Sequence, residues 1–174
     1  MKLSRVEIMA DKLECAEVVM RLARGIDRCD ADLVHSCFHR DATDDHGLFK
    51  GSAIDFVDWV MPMLETMERT QHVIGQSLIE VSGDTAAGES HFVAYHTIKT
   101  PDGDVLMVAA GRYLDTFERR DKSWKISHRQ AVYDWNSTVP STDSWDRDDP
   151  ENASEYGVRG RGDASYSLFE RVGA

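Results

Sequence analysis

Apolar residues in the first part of the chain recur with the period of an α-helix. Ser4 and Glu7 have the spacing of a capping box. Apolar side chains then follow at steps of three or four positions as far as Ile26. The pattern predicts one long amphipathic helix that ends near Asp27.

Two further helices are predicted before the sequence becomes rich in β-branched and aromatic residues. The segment from Ala31 to Phe38 has a charged face and an apolar face, which is typical of a short helix. The segment that opens at Gly51 has a helical apolar pattern as far as Leu64, and Pro62 should kink or break it. Between these two segments, residues 44–47 have the composition of a loop.

β-Branched and aromatic residues dominate from His72 onward, and turn signals interrupt them at regular intervals. The turn signals lie at Gly83-Asp84, at residues 101–104 and at Asp121-Lys122. They predict four antiparallel strands joined as hairpins: His72–Val81, Thr85–Lys99, Val105–Arg119 and Trp124–Trp135.

Helices followed by a meander of long strands predict an α+β fold in which the helices cover one face of the sheet. We expect one domain over residues 1–139. Residues 140–174 are polar and rich in glycine, and we expect an extended C-terminal tail there. The apolar and aromatic residues of the tail suggest that parts of it dock on its own domain or on a neighbouring subunit.

The composition narrows the classes of partner and compartment. The formal net charge of -11 disfavours binding to nucleic acid, and no apolar stretch is long enough to span a membrane. The first ten residues lack the apolar run of a secretion signal. The three cysteines form no CxxC pair and leave an odd thiol, which favours a reducing compartment, so we expect a cytoplasmic protein.

Counting outward from two-residue hairpin turns places several polar side chains on one face of the predicted sheet. In this register His72 lies opposite Tyr95, and Arg129 lies in a row with His91. A one-residue shift in any strand would reverse this assignment. The polar residues predicted on this face, which would line a small-molecule pocket, are His72, Gln76, His91, Tyr95, Arg112, Arg129 and Tyr133.

Short motifs in the same regions resemble the SnoaL-like branch of the nuclear transport factor 2-like superfamily. They are Gly25-Ile26-Asp27, Thr70-Gln71-His72, and the segment from Tyr113 through Trp124 to Arg129. The resemblance covers about residues 4–135 and implies a cone-shaped antiparallel sheet wrapped around a long N-terminal helix and two further helices. The branch includes dehydrochlorinases and dehydratases that need no cofactor.

The resemblance also implies roles for individual residues. Asp27 and His72 would form the catalytic dyad of the family, and Arg129 would assist the departure of a leaving group. Tyr95 lies near a position where one dehydratase of the branch has an extra acid. Leu22 occupies a position where related enzymes have a lysine or a tyrosine, so their substrates do not carry over to this chain.

These residue types also fit an elimination or isomerisation next to an activating group. A carboxylate that holds one imidazole nitrogen leaves the other nitrogen to abstract a proton, and an arginine can stabilise a developing anion. The leading hypothesis is therefore a cofactor-independent lyase or isomerase that acts on a small hydrophobic, cyclic molecule. The alternative is a non-catalytic binding or assembly module of the same fold.

Two further expectations concern metals and assembly. Asp41, Asp44, Asp45 and His46 lack a recognised metal-ligand spacing, so we expect no metal site there. The outer face of the predicted sheet would carry Phe92, Ala94 and Ile98. Because this face would otherwise be exposed, we expect a homo-oligomer, with a trimer favoured over a dimer.

Overall fold

The computed structural model describes residues 4–173 of the chain. Residues 1–3 and residue 174 lie outside the described residues. The first three begin the segment predicted to lack a secretion signal, and residue 174 ends the predicted tail. The helices are α1 (Arg5–Arg28), α2 (Ala31–Cys37), α3 (Ala53–Thr66) and α4 (Ala164–Glu170), with a 3-10 turn at Gly160–Gly162. The strands are β1 (Phe38–Asp45), β2 (Lys50–Ser52), β3 (Arg69–Ser82), β4 (Thr85–Ile98), β5 (Val105–Arg120) and β6 (Ser123–Pro140).

The long first helix begins where the capping box predicted it. The Ser4 hydroxyl accepts a hydrogen bond from the Glu7 backbone N–H at 3.2 Å, and the Glu7 carboxylate accepts one from the Ser4 N–H at 2.7 Å. The helix ends at Arg28, and the next residue, Cys29, adopts the left-handed conformation with φ 49°. α3 is continuous across Pro62, so of the predicted kink or break at this residue, the break is absent.

The six strands form one sheet in the order β2-β1-β6-β5-β4-β3. The four predicted strands are present, and each of them except β4 extends further than predicted. β1 and β2 were not predicted, because the sequence from His39 to Asp45 is too polar to resemble a strand. β1 pairs parallel with β6 and antiparallel with β2, while β3 to β6 form an antiparallel meander.

The helices cover one face of this sheet, as predicted, and we call it the helix-covered face. Its buried side chains include Phe92, Ala94, Tyr113 and Phe117, which belong to one hydrophobic core with α1, α2 and α3. The other side of the sheet is called the open face here. Within residues 4–173, no helix is both long and apolar enough to cross a membrane.

The C-terminal segment, residues 141–173, folds back onto its own domain. Arg24 donates a hydrogen bond to Ser165 at 3.0 Å, and Tyr166 donates one to Asp30 at 2.6 Å. The segment is not entirely extended as predicted, because it contains the 3-10 turn and α4. Its first part lies over one end of the open face and borders an open cleft of about 560 Å³ there.

Candidate functional site

Asp27 and His72 meet on the helix-covered face, at the junction of α1 and β3. Asp27 Oδ1 lies 2.7 Å from His72 Nδ1, and Asp27 Oδ2 accepts the His72 backbone N–H, also at 2.7 Å. Both side chains are about one-tenth exposed. The structure thus brings the two predicted residues together, and the carboxylate holds the imidazole at two points.

The second nitrogen of the His72 ring is available for chemistry. Within residues 4–173, His72 Nε2 has no hydrogen-bond partner, and it is not among the fully buried polar atoms. A neutral imidazole that donates from Nδ1 to a carboxylate presents Nε2 as an acceptor. The arrangement can therefore take up a proton at Nε2.

The surroundings of the pair favour an ionised carboxylate. Burial raises the pKa of Asp27, but the hydrogen bonds and charge of His72 outweigh it and hold this pKa below its ordinary value. Behind His72, the ring of His96 packs edge-on with the ring centroids 5.5 Å apart. Burial and the neighbouring His72 lower the pKa of His96 to about 4, so His96 is neutral near pH 7.

Arg129 lies on the same face, in a buried ion pair with Asp115. Its Nε and Nη2 donate to the two carboxylate oxygens of Asp115, both at 2.7 Å, and its side chain is 0% exposed. The guanidinium stacks over the Tyr113 ring, 4.0 Å from the centroid. Burial lowers the pKa of Arg129, but Asp115 outweighs it and raises the pKa above its ordinary value. One donor, Nη1, is buried without a partner among the described residues.

Three of the residues predicted to line the pocket lie on the open face instead. His91, Tyr95 and Arg112 alternate with the buried residues of β4 and β5, so the prediction that they share a face with His72 is wrong. Arg112 forms ion pairs with Glu89 and Asp134. His72 pairs with Ala94, where the predicted partner was Tyr95.

Two β-bulges explain this error. One lies between Ile74 and Ser77 in β3, and it shifts the register by one residue before His72 is reached. Gln76, also predicted on the pocket face, is an exposed residue of this bulge. The second irregularity lies next to Phe117, where β5 and β6 change register, and it places Arg129 opposite Asp115.

The remaining predicted residues have different surroundings. Tyr133 shares the helix-covered face with Arg129, is half-exposed, and its hydroxyl lies 3.5 Å from the His46 carbonyl oxygen. Leu22 lies on α1 and is buried in the hydrophobic core. Phe92 and Ala94 are also buried there, so the prediction that they form an apolar outer face is wrong.

The sequence analysis missed a second carboxylate–imidazole pair. Asp44, at the end of β1, lies with Oδ1 2.6 Å from Nδ1 of His46, and the Asp44 side chain is 0% exposed. The two residues were assigned to a loop because aspartate and glycine are common in turns. The available signal was the Asp-x-His spacing close to an aromatic helix. Within residues 4–173, no group of three or more metal-ligating side chains is present.

Comparisons with known proteins agree with this architecture. A hexachlorocyclohexane dehydrochlorinase (LinA-type3) from Novosphingobium barchaimii is 21% identical, with TM-score 0.67 over 78% of this chain and 94% of that one. A candidate scytalone dehydratase from Novosphingobium aromaticivorans is 17% identical, with TM-score 0.67 over 74% and 87%. The protein Kfla4162 from Kribbella flavida is 19% identical, with TM-score 0.69 over 74% and 94%. At these identities the likeness establishes the fold alone.

A comparison with curated proteins found no match. The SnoaL-like domain family matches residues 7–130, which include most of α1, the whole of β3 and Arg129. The predicted α+β cone fold and the predicted branch of the superfamily are both confirmed. The chain belongs to the SnoaL-like domain family.

Proposed function

We propose that the protein is a cofactor-independent lyase or isomerase that acts on a small hydrophobic, cyclic molecule. The observation that carries the proposal is the two-point hydrogen bonding of His72 by the buried Asp27, with His72 Nε2 left without a partner among residues 4–173. The elimination enzymes among the structural neighbours add support at the level of the reaction class.

In this mechanism His72 is the general base. Its Nε2 takes a proton from a carbon next to an activating group, and the C–H electron pair becomes an enolate or a new double bond. In an elimination, the leaving group departs with its own bonding pair. Asp27 fixes the tautomer of the imidazole and stabilises the imidazolium that forms.

Arg129 would support the developing negative charge from the other side of the site. The ion pair with Asp115 neutralises much of its charge, so its contribution would come through Nη1, the donor without a partner among the described residues. Aromatic side chains of the buried core lie between His72 and Arg129 and make the interior there apolar. Phe92 stacks on Tyr113 with centroids 4.2 Å apart, and the Tyr133 ring meets Phe92 edge-on at 6.0 Å.

One observation favours the alternative, a non-catalytic binding module of the same fold. Arg129 is wholly buried and paired, which is also what a structural arginine would show. The two functions differ in one measurable property, because only an enzyme of the proposed class would labilise a C–H bond of the bound molecule.

β-Tetralone provides a test that does not depend on the natural substrate, because it is a hydrophobic cyclic ketone with acidic protons next to its carbonyl group. Wild-type protein should accelerate exchange of these protons in deuterium oxide, followed by proton NMR. His72→Gln should abolish the acceleration, whereas the control His128→Gln alters an exposed histidine of β6 and should retain it. Exchange that is not accelerated by the wild-type protein, or that survives in His72→Gln, would favour the binding module.

We further expect a cytoplasmic homo-oligomer, with a trimer favoured. Exposed apolar side chains on the open face, including Val73, Leu78 and Trp135, support association of subunits through this face. Light scattering at micromolar concentration should give a mass above that of one chain. A monomer would contradict the expectation.

A further inference from the structure

The open cleft beside the C-terminal segment has no part in the proposed function. The start of β3 and the facing end of β4 form one wall, and residues 141–157 of the C-terminal segment form the other. Its volume of about 560 Å³ lies within the range of small-molecule sites. Because its lining residues do not include His72, a molecule bound there would occupy a site separate from the Asp27–His72 pair.

The lining of the cleft is positively charged, although the chain as a whole has a formal net charge of -11. Three arginines line it, against one acidic side chain, that of Asp143. The arginines are Arg28, Arg69 and Arg147, whose side chains are 29%, 31% and 28% exposed. The local excess of positive charge attracts an anion.

Two acids beside the cleft offset part of this charge. Glu68 lies 3.4 Å from Arg69, but it also forms an ion pair with Lys99 at 2.7 Å. Asp163 lies 3.6 Å from Arg28. With these neighbours included, three arginines and one lysine stand against three carboxylates, so one positive charge remains.

The arginines already bind one carboxylate, which belongs to the C-terminal segment itself. Asp143 Oδ2 accepts from Arg69 Nη2 at 3.0 Å and from Arg147 Nη2 at 2.7 Å. Further donors remain, because Nε of all three arginines and Nη2 of Arg28 have no hydrogen-bond partner among residues 4–173. Since a guanidinium has five N–H donors in a planar fork that matches a carboxylate, the cleft can hold a second carboxylate beside Asp143.

Aromatic side chains lie next to these donors. Trp145 is 67% exposed and packs against Tyr156, with ring centroids 5.5 Å apart. The Arg147 guanidinium lies over both rings, 5.7 Å and 5.2 Å from their centroids. Tyr95, on the wall formed by the sheet, is 37% exposed. A flat apolar ring in the cleft would cover aromatic surface that is otherwise in contact with solvent.

We propose that this cleft is a second binding site, which takes a small aromatic carboxylate. The ring of the ligand packs on Trp145 and Tyr95, and its carboxylate accepts hydrogen bonds from the free donors of the arginines. The site does not depend on the proposed function, because its residues take no part in proton transfer by His72.

The test compares two ligands of nearly the same shape, 2-naphthoate and its neutral analogue 2-naphthamide. In calorimetric titrations at low salt, wild-type protein should bind the acid about ten-fold more tightly than the amide, because hydrogen bonds to a charged acceptor are the stronger ones. The indole N–H resonance of Trp145 should shift with the acid. Because the ligand joins the sheet to the C-terminal segment, the acid should also slow amide hydrogen exchange in residues 141–157.

Variants of the two walls separate charge from ring contact. Arg147→Gln and Arg28→Gln should each weaken binding of the acid by about ten-fold and leave binding of the amide within about two-fold. Arg28 does not contact Asp143, so a loss common to both variants cannot come from release of Asp143. Trp145→Leu should weaken binding of the two ligands by similar factors. Arg21→Gln, which removes an exposed arginine of α1 outside the cleft, is the control and should keep the preference for the acid.

The outcomes separate this inference from the proposed function. A wild-type protein that binds the two ligands equally, or does not bind the acid, would overturn the second site, as would a preference that survives in both arginine variants or disappears in Arg21→Gln. His72→Gln should keep the preference, and its loss there would place the acid at the Asp27–His72 pair and overturn the inference as well. Loss of β-tetralone proton exchange in His72→Gln bears on the proposed function alone.

Discussion

The two ends of the helix-covered face each hold an imidazole fixed by a buried carboxylate, but the two pairs are built differently. Asp27 and His72 are 45 positions apart and join α1 to β3, whereas Asp44 and His46 are two positions apart in one segment. The first pair can form only after the helix packs on the sheet. The second can form locally, and it depends on its neighbours only for burial. Similar geometry therefore arises from tertiary structure at one end and from local structure at the other.

The charges at the two ends differ as well. Asp27 is accompanied by His72 and His96, and no arginine of residues 4–173 forms an ion pair with it. Asp44 instead lies beside Arg129, which is already paired with Asp115. With both carboxylates ionised, the formal charge of Asp44, Asp115 and Arg129 sums to minus one. The end with Asp27 and His72 has the groups for proton transfer. The end with Asp44 and Arg129 has a charge network that is sensitive to the loss of any member.

The largest expected effect distinguishes the two carboxylates by activity. Asp27→Asn should reduce exchange of β-tetralone protons by roughly a hundred- to ten-thousand-fold, because an amide can support the wrong imidazole tautomer. Asp44→Asn should change the rate by less than about ten-fold, because His46 does not take the proton. Initial exchange rates measured by NMR at matched protein concentrations provide the comparison. Equal losses of exchange rate in the two variants would mean that Asp27 has no greater role in proton transfer than Asp44.

The next effect distinguishes the ends by stability. Arg129→Met should lower the free energy of unfolding by about 3–5 kcal/mol, because it leaves Asp115 buried without a partner. The double variant Arg129→Met/Asp115→Leu should recover much of this loss, since neither charge is then left unpaired. Urea denaturation measures both values. A single variant as stable as the wild type would show that the buried ion pair is not needed for the fold.

The same contrast explains which parts could be predicted from the sequence. The long helix and the hairpin turns carry local signals in the sequence, such as the capping box at Ser4 and the Asp121-Lys122 turn, whose two residues both adopt positive φ angles in the structure. The faces of the strands could not be assigned, because the bulge near Ser127 leaves no clear mark in the sequence, and Gly75 inside β3 indicates a bulge without fixing the direction of the register shift. A bulge moves every side chain beyond it to the other face. His91 and Tyr95 were misplaced for this reason alone.

The site was predictable only where a resemblance supplied it. The pairing of Asp27 with His72 came from the motifs shared with the family, and no local pattern connects residues so far apart. Asp44 and His46 are adjacent enough to notice, but their burial depends on α3 and on the parallel pairing of β1 with β6. Since β1 is polar, neither the strand nor the pair could be inferred from hydrophobic periodicity.

A pH titration sharpens the comparison at the His72 end. The pKa of His96 falls from 6.5 in the unfolded chain to about 4 in the fold, so the unfolded state binds a proton first as the pH decreases. The stability that His96 contributes is complete above about pH 6.5, declines as the pH falls towards 4, and then stays constant. The loss should reach about 3 kcal/mol, and His96→Leu should remove that part of the pH dependence. Urea denaturation across this pH range checks it. An identical pH dependence in His96→Leu would mean that other groups cause the loss.

The smallest expected effect concerns the C-terminal segment. One of its hydrogen bonds to the rest of the domain lies close to the Asp27–His72 pair. The Tyr166 hydroxyl donates to Asp30, three positions after Asp27, and Asp30 also caps α2 through the Leu33 N–H at 3.0 Å. Tyr166→Phe removes this one hydrogen bond, so it should lower the free energy of unfolding by about 0.5–1.5 kcal/mol. Tyr156→Phe is the matched control, because the Tyr156 hydroxyl bonds to Asn152 within the segment itself, and it should cost less. If the hydrogen bond also fixes the end of α1, Tyr166→Phe should slow the exchange of β-tetralone protons by His72, whereas Tyr156→Phe should leave the exchange rate unchanged. Equal slowing in both variants would show that the segment supports the whole domain and not the Asp27 end in particular.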